Sequence, residues 1–170
     1  FEVARGADIV SGLTVQAFKK NSLPVPCIST ACPVCVQLIL MRFHSLTKNL
    51  LKILPPVDIA AKLAREQAIK KTGLKSEDIG VFFISPFPAK VSAIKNRFSS
   101  DITQIDGVLS VKDVCVRLIA EGKGDKDEIP VIASNLGIAW AQSGGEAKGS
   151  GRTRILACDG IENVVSVLKE

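Results

Sequence analysis

Short apolar runs rich in Val, Ile and Phe alternate along this chain with stretches in which apolar residues return every three to four positions. The runs suit buried strands and the stretches suit helices laid over them. The pattern therefore predicts an α/β fold, a mostly parallel sheet with helices on both faces. Strands are predicted at residues 26–29, 81–85, 131–133 and 155–158, with a weaker one at 107–110. The clearest helix covers 58–72, where Ile59, Leu63, Ala64 and Ile69 fall roughly on one face. Asp58 is placed to cap its start and Gly73 to end it in the left-handed conformation. A second helix is predicted to follow Pro33, which is preorganised for a first turn, with Val36, Ile39, Leu40 and Phe43 at helical spacing. Cys32 then falls at a strand-to-helix turn. Two more helices are predicted at 111–120 and from 161 to 170, with a charged loop at 122–128 and a flexible glycine-rich loop at 143–152. No repeat divides the 170 residues, which have about the length of one domain.

Composition narrows the class. A hydrophobic fraction of 46% against 23% charged residues is that of a folded globular chain and excludes a disordered tail. The net charge of +5 raises nucleic-acid binding as a question. Lys and Arg are dispersed among acids, however, and with no Tyr and one Trp the chain offers few stacking platforms, so no nucleic-acid partner is expected. No apolar run approaches the ~18 residues that span a bilayer, and no signal-peptide pattern is visible, so no membrane is expected either. Phe1 in place of an initiator Met suggests a trimmed chain. The five cysteines are odd in number and three of them bunch at positions 27, 32 and 35. That usage favours a reducing, cytoplasmic location with metal or redox chemistry over a disulfide framework.

The bunch admits several readings. Cys27-x4-Cys32-x2-Cys35 has the three-cysteine spacing of plant-type ferredoxins, although the next cysteine is Cys115 and the three sit on a strand and a helix start. Structural zinc wants four close ligands, and the single histidine, His44, has no acid or second histidine at helical spacing and is given no role. Cys32-Pro33-Val34-Cys35 is also a C-x-x-C at a helix start, the arrangement of a small dithiol oxidoreductase. Against that, Cys35 is expected on the apolar face with Leu38 and Ile39, leaving the pair unbridged. Cys27, Cys115 and Cys158 read as core fillers. The glycines at 144–151 match neither a P-loop nor a dinucleotide fingerprint.

Two segments carry a more specific likeness: Ile28-Ser29-Thr30-Ala31-Cys32-Pro33, and the run from Val81 through Pro86-Phe87-Pro88-Ala89-Lys90. They resemble the first and second active-site motifs of iron-only hydrogenases. The first of these reads T-S-C-C-P or, in a divergent branch often joined to sensory modules, S-x-A-C-P; the second is a strand ending in P-C-x-x-K. The helix A-A-K-L-A-R-E-Q-A and the segment I-L-A-C-D-G-I-E-N-V also look like that branch, so the likeness covers essentially the whole chain.

The resemblance implies the catalytic domain of a hydrogenase large subunit, which oxidises or senses hydrogen or reduces protons at a [4Fe-4S] cluster linked to a diiron centre. It also implies ferredoxin-like, electron-transfer or sensory modules as partners. By that likeness Cys32 is the cubane ligand of the first motif and Ala31 stands where the proton-relay cysteine would be. Phe87 occupies a ligand position and cannot coordinate iron. Lys90 matches the lysine that hydrogen-bonds a cyanide of the diiron centre, and Ala93 stands where a proton-path glutamate is expected. The third motif, with two cysteines, is not among these residues. Residues 1–170 are therefore expected to be a partial catalytic domain, inactive by itself.

Overall fold

The computed structural model describes residues 1–95, 104–122 and 130–170, divided between two compact units, one of Glu2–Ile59 with Ala133–Glu170 and one of Ala60–Ile132 with Phe1. The predicted loop at 122–128 lies, beyond Gly122, outside the described residues.

The first unit opens with a helix that the apolar pattern did not reveal, α1 (Val3–Lys19). Its buried face is made of Gly6, Ala7, Val10, Ser11 and Thr14, while Ile9 and Leu13 point outward. Small and hydroxyl residues on the inner face hide the helical period from a count of large apolar side chains. What they permit is close approach. Against α1 lie α6 (Asn135–Ala139) and α7 (Gly145–Gly149). A Cβ at Gly137 would strike the Ala4 carbonyl and the Asp8 carboxylate, so only glycine lets α6 seat on α1. The Trp140 indole N–H donates to Ser11 Oγ at 2.8 Å, tying the same elements together.

The residues leading into α6, predicted as a strand at 131–133, form no ladder. Their amides are taken by the carboxylates of the α1 region: Ala133 N–H donates to Glu2 Oε2 at 2.8 Å and Ser134 N–H to Asp8 Oδ2 at 2.9 Å. Ser134 then caps α6 by accepting the N–H of Leu136 and Gly137. The glycine-rich stretch at 143–152 is also not a plain loop, because it winds into α7 behind Gly144 at φ 72°. Residues 155–158 are exposed and unpaired instead of forming a strand, and α8 (Ile161–Lys169) follows them. A short apolar run becomes a strand only when a neighbour supplies the ladder, and among the described residues none does so at 131–133 or 155–158.

In the second unit the parallel sense holds. β1 (Phe82–Ser85) pairs in parallel with β2 (Gly107–Ser110), Phe82 opposite Gly107 and Ser85 opposite Ser110, with α4 (Pro88–Lys95) between them in sequence. β2 runs straight into α5 (Val111–Glu121), capped by Ser110 Oγ accepting the Lys112 N–H at 3.1 Å and closed by Gly122 at φ 60°. The long helix α3 spans Pro56–Thr72, belonging to this unit from Ala60 on, so Asp58 lies in its first turn and is not its cap; Gly73 ends it at φ 71° as predicted. The buried positions along it are Pro56, Val57, Asp58, Ala60, Ala61 and Arg65, one step round from the face the large apolar residues suggested.

Arg65 organises this unit. Its guanidinium donates to the carbonyls of Ser76, Ile79 and Gln104 and to Asp106 Oδ2 at 2.5 Å. Asp106 in turn accepts the Val81 N–H at 2.6 Å and donates its own N–H to the Val81 carbonyl at 2.8 Å, fixing β1 beside the start of β2. The Val81 amide, outweighing a burial effect of opposite sign, and the Arg65 guanidinium hold the Asp106 carboxyl below the usual carboxylate range. With the folded value depressed, its contribution is complete above the unfolded value near 4 and is lost as pH falls through the folded one. Acid titration of the wild type against Asp106→Asn, followed by circular dichroism, is expected to show a stability loss below about pH 4 that the variant lacks. The effect is small, since the Asp106 side chain is 48% exposed and solvent screens the pair.

Candidate functional site

The first-motif turn lies wholly within the first unit and is held at nearly every residue. Ile28, predicted to sit in a strand, makes a single parallel bridge to Leu50: its N–H donates to the Asn49 carbonyl and its carbonyl accepts the Leu51 N–H, both at 2.8 Å. Asn49, buried, donates its side-chain amide to the Pro26 carbonyl at 2.6 Å. Thr30 Oγ1 reaches the carbonyls of Leu51 at 3.3 Å and Ile53 at 3.4 Å. Ser29 Oγ accepts the Ala31 N–H at 3.1 Å, bending the chain, and donates to Glu146 Oε2 at 2.6 Å. These bonds fix the backbone up to the residue before Cys32.

Cys32 is the N-cap of α2 (Pro33–Arg42), with extended φ/ψ of −96° and 109°, and Pro33 opens the first turn as predicted. Its side chain is exposed, while Cys35, at the third position of the helix, is half-buried. Cys35 lies four positions before Ile39, which is fully buried. Its thiol shares a hydrogen bond with that of Cys32, and this bond first, then burial and the nearby Cys32 and Cys158, push it well above the ordinary thiol range. Cys27 is half-buried and also raised, by burial first and then by Glu146. Cys115 and Cys158, expected in the core, are exposed. Cys115 rides on α5 beside Val116 and Leu118, which are themselves exposed, and Cys158 sits on the irregular segment before α8. Sequence reasoning missed the nearness of Cys158 to Cys35 and of Glu146 to Ser29. Separations of more than a hundred residues leave no local signal for either.

The second-motif turn belongs to the other unit. β1 ends at Ser85, which is buried and whose Oγ accepts the Phe87 N–H at 3.1 Å, and the Phe87 carbonyl accepts the Lys90 N–H at 3.1 Å. Phe87 is thereby placed at the tip between strand and helix, 63% exposed, with Lys90 half-buried on the first turn of α4 and Ala93 buried.

A [4Fe-4S] cubane is held by four thiolates, and of the two positions that the resemblance names as ligands Cys32 carries a thiol while Phe87 has no lone pair to give. Among the described residues no group of three or more His, Cys, Asp or Glu side chains is arranged to hold a metal ion. Nor is any described helix long and apolar enough to cross a membrane.

No curated protein matches the chain. The family model for the C-terminal domain of the iron only hydrogenase large subunit matches residues 1–160. That span takes in both motif turns and all but the last ten of the 170 residues, and the mixed α/β architecture with its parallel strands agrees with it. The chain belongs to the family of C-terminal domains of the iron-only hydrogenase large subunit.

Proposed function

We propose that this chain is a hydrogenase-family domain that keeps the scaffold of the active site without the capacity to hold the cluster by itself. The observation that carries the reading is Phe87: the turn that presents a ligand in the family presents here an exposed phenyl ring on an otherwise intact strand-to-helix tip. Ala31 and Ala93, neither able to carry a proton, point the same way as Phe87. Such a domain serves a sensory or scaffolding task in hydrogen chemistry better than rapid turnover, alongside electron-transfer or sensory modules in a reducing cytoplasm.

Cluster assembly couples metal binding to ordering of the ligand loops, and one thiolate cannot offset that ordering. Anaerobic reconstitution with iron and sulfide, read by iron quantitation and electron paramagnetic resonance after reduction, is expected to leave iron well below one per chain and no cubane signal. Phe87→Cys is expected to bind no more, since two thiolates still fall short of four. About four irons per unmodified chain with a cubane spectrum would overturn the reading and point to Cys27, Cys32 and Cys35 as ligands after all.

A further inference from the structure

The Cys32-Pro33-Val34-Cys35 turn has a geometry that the hydrogenase reading does not use. An N-cap side chain and the side chain at the third helical position face one another across the first turn, the arrangement of a capping box. Here both positions are cysteines. Residues three apart at a helix start have Cβ atoms about 5–6 Å apart, within a small closing motion of the span a disulfide needs. The motion is available because Cys32 lies outside the helix, in extended backbone, and only its χ1 and its own φ/ψ must adjust. The two thiols also differ in access: Cys32 is exposed and Cys35 half-buried behind it. The Ser29, Thr30 and Asn49 hydrogen bonds hold the chain up to Ala31, so the closing adjustment is confined to Cys32.

We propose that Cys32 and Cys35 form a redox-active dithiol for low-molecular-weight disulfides, Cys32 attacking and Cys35 resolving. The Cys32 thiolate attacks one sulfur of the external disulfide, the S–S bond breaks, and the departing thiolate takes a proton from solvent, leaving a mixed disulfide on Cys32. Cys35 then gives up its proton and attacks Cys32 Sγ. The second external thiolate leaves and takes that proton. Two electrons pass from the protein to the disulfide, which becomes two thiols, and Cys32 and Cys35 become bridged. The half-burial of Cys35 makes it less accessible to external disulfides than the exposed Cys32, which favours it for the second step. Cys158 is near Cys35 yet lies outside the turn, so it is a bystander in this scheme. The proposal does not depend on the family assignment and concerns the iron-free chain.

The test uses the full 170-residue chain, reduced and then exposed to glutathione disulfide, with acid quenching, alkylation and peptide mass mapping. A Cys32–Cys35 bridge is expected in the wild type and in Cys158→Ser. Cys35→Ser is expected to stop at a glutathione adduct on Cys32, and Cys32→Ser to leave Cys35 unmodified. In the reduced wild type Cys32 is expected to alkylate at least about tenfold faster than Cys35 at neutral pH. Absence of a bridge, a bridge between Cys35 and Cys158, or equal labelling of the two thiols in a chain whose circular dichroism is native would each overturn the proposal. Iron uptake plays no part in the readout, so this result and that of the reconstitution stand apart.

Discussion

Replacing Arg65 with alanine is expected to destabilise the Ala60–Ile132 unit by about 2–3 kcal/mol, the cost of leaving backbone acceptors without their buried charged donor. The side chain is only 9% exposed overall and donates to three backbone carbonyls and one carboxylate drawn from segments up to 41 residues away. Truncation leaves those carbonyls to find water and takes from Asp106 the cation that faces it. Lysine restores the charge but not the fork: one ammonium cannot reach four acceptors spread around a plane, so Arg65→Lys should recover less than half of the loss. Thermal melts of the three proteins are the check. A midpoint for Arg65→Ala within a degree or two of the wild type would mean that the network adds no net stability.

Gly137→Ala is the second large effect, expected to cost about 3 kcal/mol or more through overpacking at a site that cannot give. The added methyl would lie against the Ala4 carbonyl and Asp8 carboxylate, and both belong to α1, whose backbone is fixed by its own helical bonds. Relief requires α6 to lift from α1. That would also break the contacts of Ser134 with Asp8 and of Trp140 with Ser11. At Asp8, burial works to raise the carboxyl, but hydrogen bonds from the Ser134 side chain and from the amides of Ser134 and Gly137 outweigh it and hold it low. Loss of the seating should therefore appear twice, as a lower melting midpoint and as an Asp8 titration shifted upward in carbon-detected nuclear magnetic resonance. By contrast Gly12→Ala, on the open side of α1, should be neutral or stabilising, since nothing lies within 4 Å of its Cβ position.

What the sequence showed and what it concealed divide along one line. Helices marked by large apolar residues or strong punctuation were legible: α2 behind Pro33, α3 up to Gly73, α5 and α8. So were β1 and β2, whose apolar runs find one another as parallel neighbours. Hidden were the elements that rest on small residues, α1, α6 and α7, because glycine and serine on a buried face carry no hydrophobic signal, only permission to approach. Residues 131–133 and 155–158 misled for the opposite reason, offering apolar residues without a partner strand. At the candidate site the turn from Cys32 into the helix opened by Pro33 could be read directly. The tie from Ser29 to Glu146 and the approach of Cys158 to Cys35 join positions more than a hundred residues apart, and only the folded chain reveals them.

The unit that carries Cys32 is discontinuous: Glu2–Ile59 and Ala133–Glu170 are separated in the chain by the whole of the other unit. Synthesis from the amino terminus therefore completes Ala60–Ile132 first, while α1 waits with its inner face uncovered until Gly137 and Gly149 have left the ribosome. Contacts of such long sequence separation form late and slowly, because the loop they close must be ordered before anything repays it. A face of Gly, Ala, Ser and Thr with Val10 as its one larger apolar side chain is well suited to that wait. It offers little for a chaperone or a neighbouring nascent chain to hold, and the fold trades strength of burial for a quieter passage through its longest unfinished interval.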